Sequence, residues 1–321
     1  MSRSVVPEGG SSGERAAVPS EERPAAKFGE RLAAPFGARL AAAVAAHGTL
    51  CVGIDPHPAL LARWGLPDDA DGLERFATTC VSALAGHVAV VKPQSAFFER
   101  HGSRGIAVLE RVLEALRDTA TPGVPATLAL LDVKRGDIGS TMDGYADAYL
   151  APGAPLGADA VTLSPYLGFG ALAAAIRTAD DAGRGVFVLA RTSNPEGADV
   201  QLAQRDGPGP DRRSVAQGIV DAASAVNRDA PAALGPVGVV VGATTAHGLD
   251  LSTLSGAVLA PGLGAQGAAP ADLATRFAGV RGVVLPAASR SVLAAGPDPS
   301  AVRAAAEALR DELVAARAPA P

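Results

Sequence analysis

Of the 28 basic residues in the chain, only Lys27, Lys92 and Lys134 are lysines; the other 25 are arginines. Rich alanine, glycine and proline fits a composition that has drifted toward arginine wherever either cation serves. A lysine kept against that drift is a candidate for work that arginine cannot do. Lysine is a compact, tunable proton donor, whereas a guanidinium stays charged and releases its proton poorly. Two of the three lysines fall close to carboxylates at the ends of apolar runs. Asp55 follows the run 49–54, Lys92 follows 88–91, and Asp132-Val133-Lys134-Arg135-Gly136-Asp137 follows 127–131. Side chains at i and i+2 of a strand share a face, so Asp132 and Lys134 should converge while Val133 packs the other way. Carboxylates a few ångströms away keep such a lysine protonated, which makes it a fixed cation and acid rather than a Schiff-base nucleophile. Asp137, past the turn at Gly136, is expected to start the next helix. The competing reading is a set of solvated rim charges, which would predict arginine at both lysine positions.

Positioning these residues requires a regular scaffold. Eight apolar runs occur, at 49–54, 88–91, 127–131, 160–163, 186–190, 237–241, 257–260 and 282–285. They are continuous rather than alternating, as in parallel strands covered on both faces. Between them lie segments of helical period, with Leu73, Phe76, Cys80 and Leu84 on one face and Ile106, Leu109, Leu113 and Leu116 on another. A leading helix carries Leu32, Phe36, Leu40 and Val44, and a last one carries Val302, Leu309 and Leu313. Gly48 and Gly86 stand where helix C-caps are expected. Eight β/α units in one domain, 29–317, predict a single (β/α)8 TIM barrel, whose site would lie at the C-terminal strand ends. An open doubly wound sheet is the alternative; it more often has a glycine-rich first turn, and here that turn is Asp55-Pro56-His57-Pro58. Residues 1–28, polar and without an apolar core, predict a disordered tail. The long polar loop 194–213 after strand 5 has the length of a functional lid or of a disordered segment.

Composition narrows the function classes. The chain has 321 residues, 48% of them hydrophobic, and a net charge of −5. It can bury a large core, and it lacks the basic face that a nucleic-acid or membrane-surface partner requires. The uncharged stretches 230–249 and 251–271 are broken by Pro, Gly, Ser or Thr and do not resemble membrane spans. Cys51 and Cys80 form no disulfide framework, and a cytoplasmic location fits. The five histidines do not cluster, so no metal site is expected. His57 reads as structural, and Trp64, Tyr145 and Tyr149 read as packing or interface residues rather than base-stacking platforms.

The blocks GIDPHP (53–58), VVKPQSAFFE (90–99), LLDVKRGDIGSTM (130–142), LSPYLGFG (163–170), RTSNPEG (191–197), VVVGAT (239–244) and LAPGLGAQG (259–267) run in order along the chain. Together they resemble the orotidine 5′-phosphate decarboxylases, whose hallmark is D-x-K-x-x-D at the end of strand 3. The likeness is to the bacterial subgroup with a long strand-5 loop. It implies conversion of orotidine 5′-monophosphate to UMP, the last step of de novo pyrimidine nucleotide synthesis, without metal or organic cofactor. It also implies roles. Lys134 would stabilise and protonate pyrimidine C6, Asp132 would face the departing carboxylate, and Lys92 would hold Asp132 and a ribose hydroxyl. Asp55 would contact the ribose and Ser164 the pyrimidine edge. Gln266 and Arg290 would grip the phosphate, with Gly267 in the same loop and Ser289 offering its backbone N–H. Loops after strands 7 and 8 are a usual phosphate site of such barrels, although the glycines alone could be tight turns. Arg191 is placed with the phosphate set, a nearby salt bridge being its other reading. Ser289-Arg290 stands where the family has glycine–arginine. The resemblance further implies a homodimer in which Asp137 and Thr141 reach the neighbouring site. Two other functions remain open at this level. One is a Mg2+-dependent phosphosugar decarboxylase or aldolase of the same barrel group, which has a carboxylate where this chain has Lys92. The other is a non-catalytic nucleotide-binding barrel.

Overall fold

A computed structural model describes residues 34–119, 123–205, 213–265 and 267–317. Its eight strands are β1 (Cys51–Ile54), β2 (Val90–Pro93), β3 (Leu128–Arg135), β4 (Ala160–Leu163), β5 (Gly185–Arg191), β6 (Val237–Val241), β7 (Val258–Pro261) and β8 (Val284–Ala288). All neighbouring pairs are parallel, and β1 returns to β8 through Cys51↔Ala287 and Val52↔Ala288, closing a barrel in sequence order. Closure rules out the open doubly wound alternative. The expected tail 1–28 and Leu32 lie outside the described residues, as does 206–212 of the long loop.

Each strand feeds two cores because its side chains alternate. Cys51, Val90, Leu128, Leu130, Ala160, Phe187, Val240 and Leu259 fill the interior. Val52, Val91, Ala129, Leu131, Val161, Val188 and Val239 pack outward beneath the helices. The helix Ala70–Leu84 starts at Asp69, whose carboxylate accepts from the N–H groups of Asp71 and Gly72, and it buries Leu73, Phe76, Cys80 and Leu84. The helix Gly102–Asp118 buries Val108, Leu109, Val112, Leu113 and Leu116, while Ile106 is only partly covered. Trp64 is a packing residue: its ring tilts on Phe76 at 4.3 Å and its Nε1–H donates to Leu293 O.

The leading helix, Phe36–His47, lies across the N-terminal end of the barrel. The Phe36 ring meets Phe187 edge-on at 6.2 Å, and Gly185 leaves the space that ring needs, since a Cβ there would sit 2.4 Å from it. Arg39 binds Asp159, just before β4, and donates to Gly183 O, just before β5.

Two expectations need correction. β3 runs through the charged motif to Arg135 instead of stopping before it, because pairing with β4 resumes at Arg135↔Leu163 after a register shift. Asp137 does not start the next helix, which runs Gly139–Tyr149. Its carboxylate takes the N–H of Ile138, and a left-handed Gly139 delays the first helical turn.

Candidate active site

Strand alternation carries the interior pattern upward by one more residue. Above Val90, Leu130 and Ala160 come Lys92, Asp132 and Thr162, and these polar side chains meet at the C-terminal mouth. Asp132 is 7% exposed and receives four donors. Lys134 Nζ at 2.7 Å and Thr162 Oγ1 at 2.8 Å reach Oδ1. Lys92 Nζ at 3.2 Å and Gln94 Nε2 at 2.8 Å reach Oδ2. Two carboxylate oxygens offer about four lone-pair positions, so the group is saturated and has no place for a proton. Burial alone would raise the Asp132 pKa, but the Lys92 and Lys134 ammonium groups and the hydrogen bonds outweigh it and hold it well below the usual carboxylate range. Lys92 shows the mirror image. Burial opposes its charge, yet Asp55 and Asp132 prevail and its pKa is raised above the usual value. Beneath them, burial pushes the Cys51 thiol up to about 12, which leaves it an inert core residue.

Asp55 Oδ1 stands 4.0 Å from Lys92 Nζ and is buried without a hydrogen-bond partner. Ser289 Oγ is in the same condition. The two side chains crowd Gly53, where a Cβ would lie 3.1 Å from Ser289 Cβ and 3.2 Å from Asp55 Oδ1. Glycine at 53 thus makes room beside the ends of β1 and β8 for two buried oxygens without hydrogen-bond partners. Next to them Arg290 opens the short helix Arg290–Leu293 and is exposed. The loop after β7 folds on itself through Leu263↔Ala268 and packs Gly264 against Ser291, where a Cβ would fall 2.9 Å from the serine hydroxyl. The loops after β7 and β8 therefore adjoin, with Gly267 exposed on a turn; Gln266 lies outside the described residues.

Ser164 directly follows β4 with its N–H bonded to Arg135 O at 2.7 Å, which sets it beside the charged motif. Arg191 Nη1 donates to Thr192 O and to Gln201 Oε1, so the described partners of this guanidinium are amide oxygens rather than a carboxylate. The reason is local: Gln201, on the helix Ala198–Gln201, reaches back to the start of its own loop. Asp137 and Thr141 do not join the Asp132 cluster. Thr141 is exposed, as are the apolar Ile138, Tyr166 and Leu167 on the adjacent loops. A cleft of about 320 Å³ opens beside Lys134, between Gln94, Phe97 and Arg135.

Gln94 and Thr162 are site residues that the sequence reading missed. Gln94 stands two residues after Lys92, so the same alternation that paired Asp132 with Lys134 points to it. Thr162 is the polar member of an otherwise apolar strand.

Residues 48–306 match the family model described as Orotidine 5′-phosphate decarboxylase / HUMPS family. The chain belongs to that family. A Salinispora arenicola orotidine 5′-phosphate decarboxylase is 60% identical over 266 residues, 83% of this chain and 92% of that protein. A Streptomyces avermitilis crystal structure superposes on this member of the decarboxylase/HUMPS family with a TM-score of 0.80 at 52% identity, covering 88% of this chain and 96% of that one. The Leishmania donovani OMP decarboxylase does so with a TM-score of 0.64 at 28% identity, covering 88% and 99%. The expectation of a carboxy-lyase agrees with these relatives, and Asp132 and Lys134 of the motif that helped carry the resemblance line the mouth.

Proposed function

We propose that this member of the orotidine 5′-phosphate decarboxylase / HUMPS family converts orotidine 5′-monophosphate to UMP and CO2, closing de novo pyrimidine nucleotide synthesis. The observation that carries this is the saturated Asp132 carboxylate held against the Lys134 ammonium at 2.7 Å. A substrate carboxylate set beside Asp132 meets a fixed negative charge that cannot be relieved by protonation. As the bond from C6 to the carboxylate breaks, its electron pair stays on C6, where no carbonyl delocalises it. Lys134 supplies the opposing charge and then transfers a proton from Nζ to C6. Charges fixed in advance need no rearrangement at the moment of reaction, which is the main source of such catalysis. Lys134 is half exposed and regains its proton from solvent once product leaves.

The remaining roles are those the family resemblance implies. Asp55 Oδ1 accepts a ribose hydroxyl and Lys92 donates to one. Ser164 reads the pyrimidine edge. Arg290, the Ser289 N–H and the Gln266–Gly267 loop hold the phosphate, with Arg191, the last residue of β5, added to that set. Lys92 puts an ammonium 3.2 Å from Asp132 and 4.0 Å from Asp55, where the metal-dependent phosphosugar enzymes need a carboxylate to help bind Mg2+. That favours a cofactor-free reaction. Exposed Ile138, Tyr166 and Leu167 support a homodimer in which Asp137 and Thr141 complete the partner's site. The catalytic domain spans 29–317, and the enzyme works in the cytoplasm. Among the described residues no helix is long and apolar enough to cross a membrane.

A spectrophotometric assay of orotidine 5′-monophosphate loss, with and without EDTA, tests the reading. Turnover unaffected by chelator is expected. Loss of activity with EDTA would move the enzyme to the metal-dependent branch, and UMP binding without turnover would make it a binding barrel.

A further inference from the structure

Among the described residues, Lys134 is the one non-glycine with a positive φ, 47°. L-residues avoid this region because Cβ crowds the backbone, and a long unbranched side chain does nothing to favour it. The restraint must come from outside the residue. Pairing of β3 with β4 passes from Leu131↔Val161 to Arg135↔Leu163, so β3 advances four residues while β4 advances two. Thr162 stands opposite this bulge, 1% exposed in the interior. Its Oγ1 accepts the Lys134 backbone N–H at 2.9 Å, where a ladder carbonyl would otherwise stand. The same hydroxyl donates to Asp132 Oδ1 at 2.8 Å. The directions are fixed, because a backbone N–H only donates and an ionised carboxylate only accepts.

We propose that Thr162 is a positioning residue of the reaction. One hydroxyl locks the bulge that aims the Lys134 ammonium and the Asp132 carboxylate, without touching substrate. The proposal rests on Lys134 being the proton donor. Removing the hydroxyl orphans the Lys134 N–H and takes one donor from Asp132. The backbone then relaxes toward extended φ and turns the Cα–Cβ bond of Lys134 in a new direction.

Two reciprocal substitutions separate this from packing. Thr162→Val keeps the shape and loses the hydroxyl, whereas Thr162→Ser keeps the hydroxyl and loses a methyl. Thr162→Val should lower kcat about 10- to 100-fold, the range of a lost hydrogen bond to a charged group. Its KM and its UMP dissociation constant should stay within about threefold of the parent, and Thr162→Ser should keep kcat within a similar margin. Crystal structures should show Lys134 leaving positive φ in Thr162→Val and retaining it in Thr162→Ser. An active valine variant with an impaired serine variant would assign Thr162 to packing and overturn the proposal. If Thr162→Val does not fold, Thr162→Ser against Thr162→Ala decides, since both lose the methyl and only serine keeps the hydroxyl; equal kcat would overturn the proposal. A parent without turnover would refute the decarboxylase reading instead, and the φ of Lys134 in the variants would still test the clamp.

Discussion

Replacing Lys92 by methionine would remove the cation between two carboxylates while keeping most of its buried stem. Its ammonium lies 3.2 Å from Asp132 and 4.0 Å from Asp55. With an effective dielectric constant of ~20, those separations correspond to attractions of about 5 and about 4 kcal/mol. In the parent these largely offset the cost of withdrawing the ions from water, so the intact cluster stabilises little. Stripping one member is different, because Asp55 then loses its cation and Asp132 keeps only Lys134, at a cost of about 3–5 kcal/mol. At about 2 °C per kcal/mol for a chain of this size, Lys92→Met should melt about 6–10 °C below the parent at pH 7. The deficit should depend on pH in a defined direction. Asp132 has a depressed pKa, so its contribution is present above the ordinary carboxylate value of 3.8 and is lost as pH falls through the folded value. Lys92 has a raised pKa, so its contribution is present below the ordinary value of 10.5 and is lost as pH rises through the folded value. The gap between parent and variant should therefore be full between about pH 5 and about pH 10 and narrow at both extremes. Thermal unfolding followed by circular dichroism across that range measures it. A variant melting within about 1 °C of the parent at pH 7, or a gap that ignores pH, would refute the electrostatic account of the cluster.

Arg290→Ala should weaken UMP binding by about 1.5–3 kcal/mol, the scale of a hydrogen bond to a charged group, while uridine binding is unchanged. Calorimetric titration of both ligands checks this, and equal losses would show Arg290 supporting the barrel instead. Lys134→Ala and Asp137→Ala, each inactive alone, should complement after subunit exchange. Two-fold symmetry and random mixing set a ceiling of about a quarter of parental activity. No recovery, with exchange verified by mass spectrometry, would mean that each site is built from one chain.

The barrel was legible because its strands are buried on both faces and so read as unbroken apolar runs. The charged centre was legible because Lys92 and Lys134 are lysines in an arginine-rich chain and stand at strand ends. What escaped the reading has physical causes. Positive φ announces itself through glycine or asparagine, and Lys134 gives no such sign. Thr162 reads as an ordinary β-former, since the neighbour that turns it into a clamp is 28 residues away on β3. The extent of β3 was hidden because charged residues look like the end of a strand, although Arg135 still pairs with Leu163. Asp137 reads as a helix start because aspartate often caps helices, yet its carboxylate serves its own turn.

The helix Phe36–His47 makes the barrel a cul-de-sac. Phe36 and Leu40 stopper the N-terminal end, and Arg39 fastens the stopper to Asp159 and to the approach of β5. The proposed reaction would then have one doorway, over the rim where Arg290, Lys134 and the long loop stand. Substrate would arrive there, and both the gas and the nucleotide would depart there. Carbon dioxide is small and uncharged, so it can slip out past a nucleotide still anchored by its phosphate, whereas the nucleotide cannot leave until that anchor lets go. In that reading the phosphate grip that brings substrate in would also be the brake on turnover.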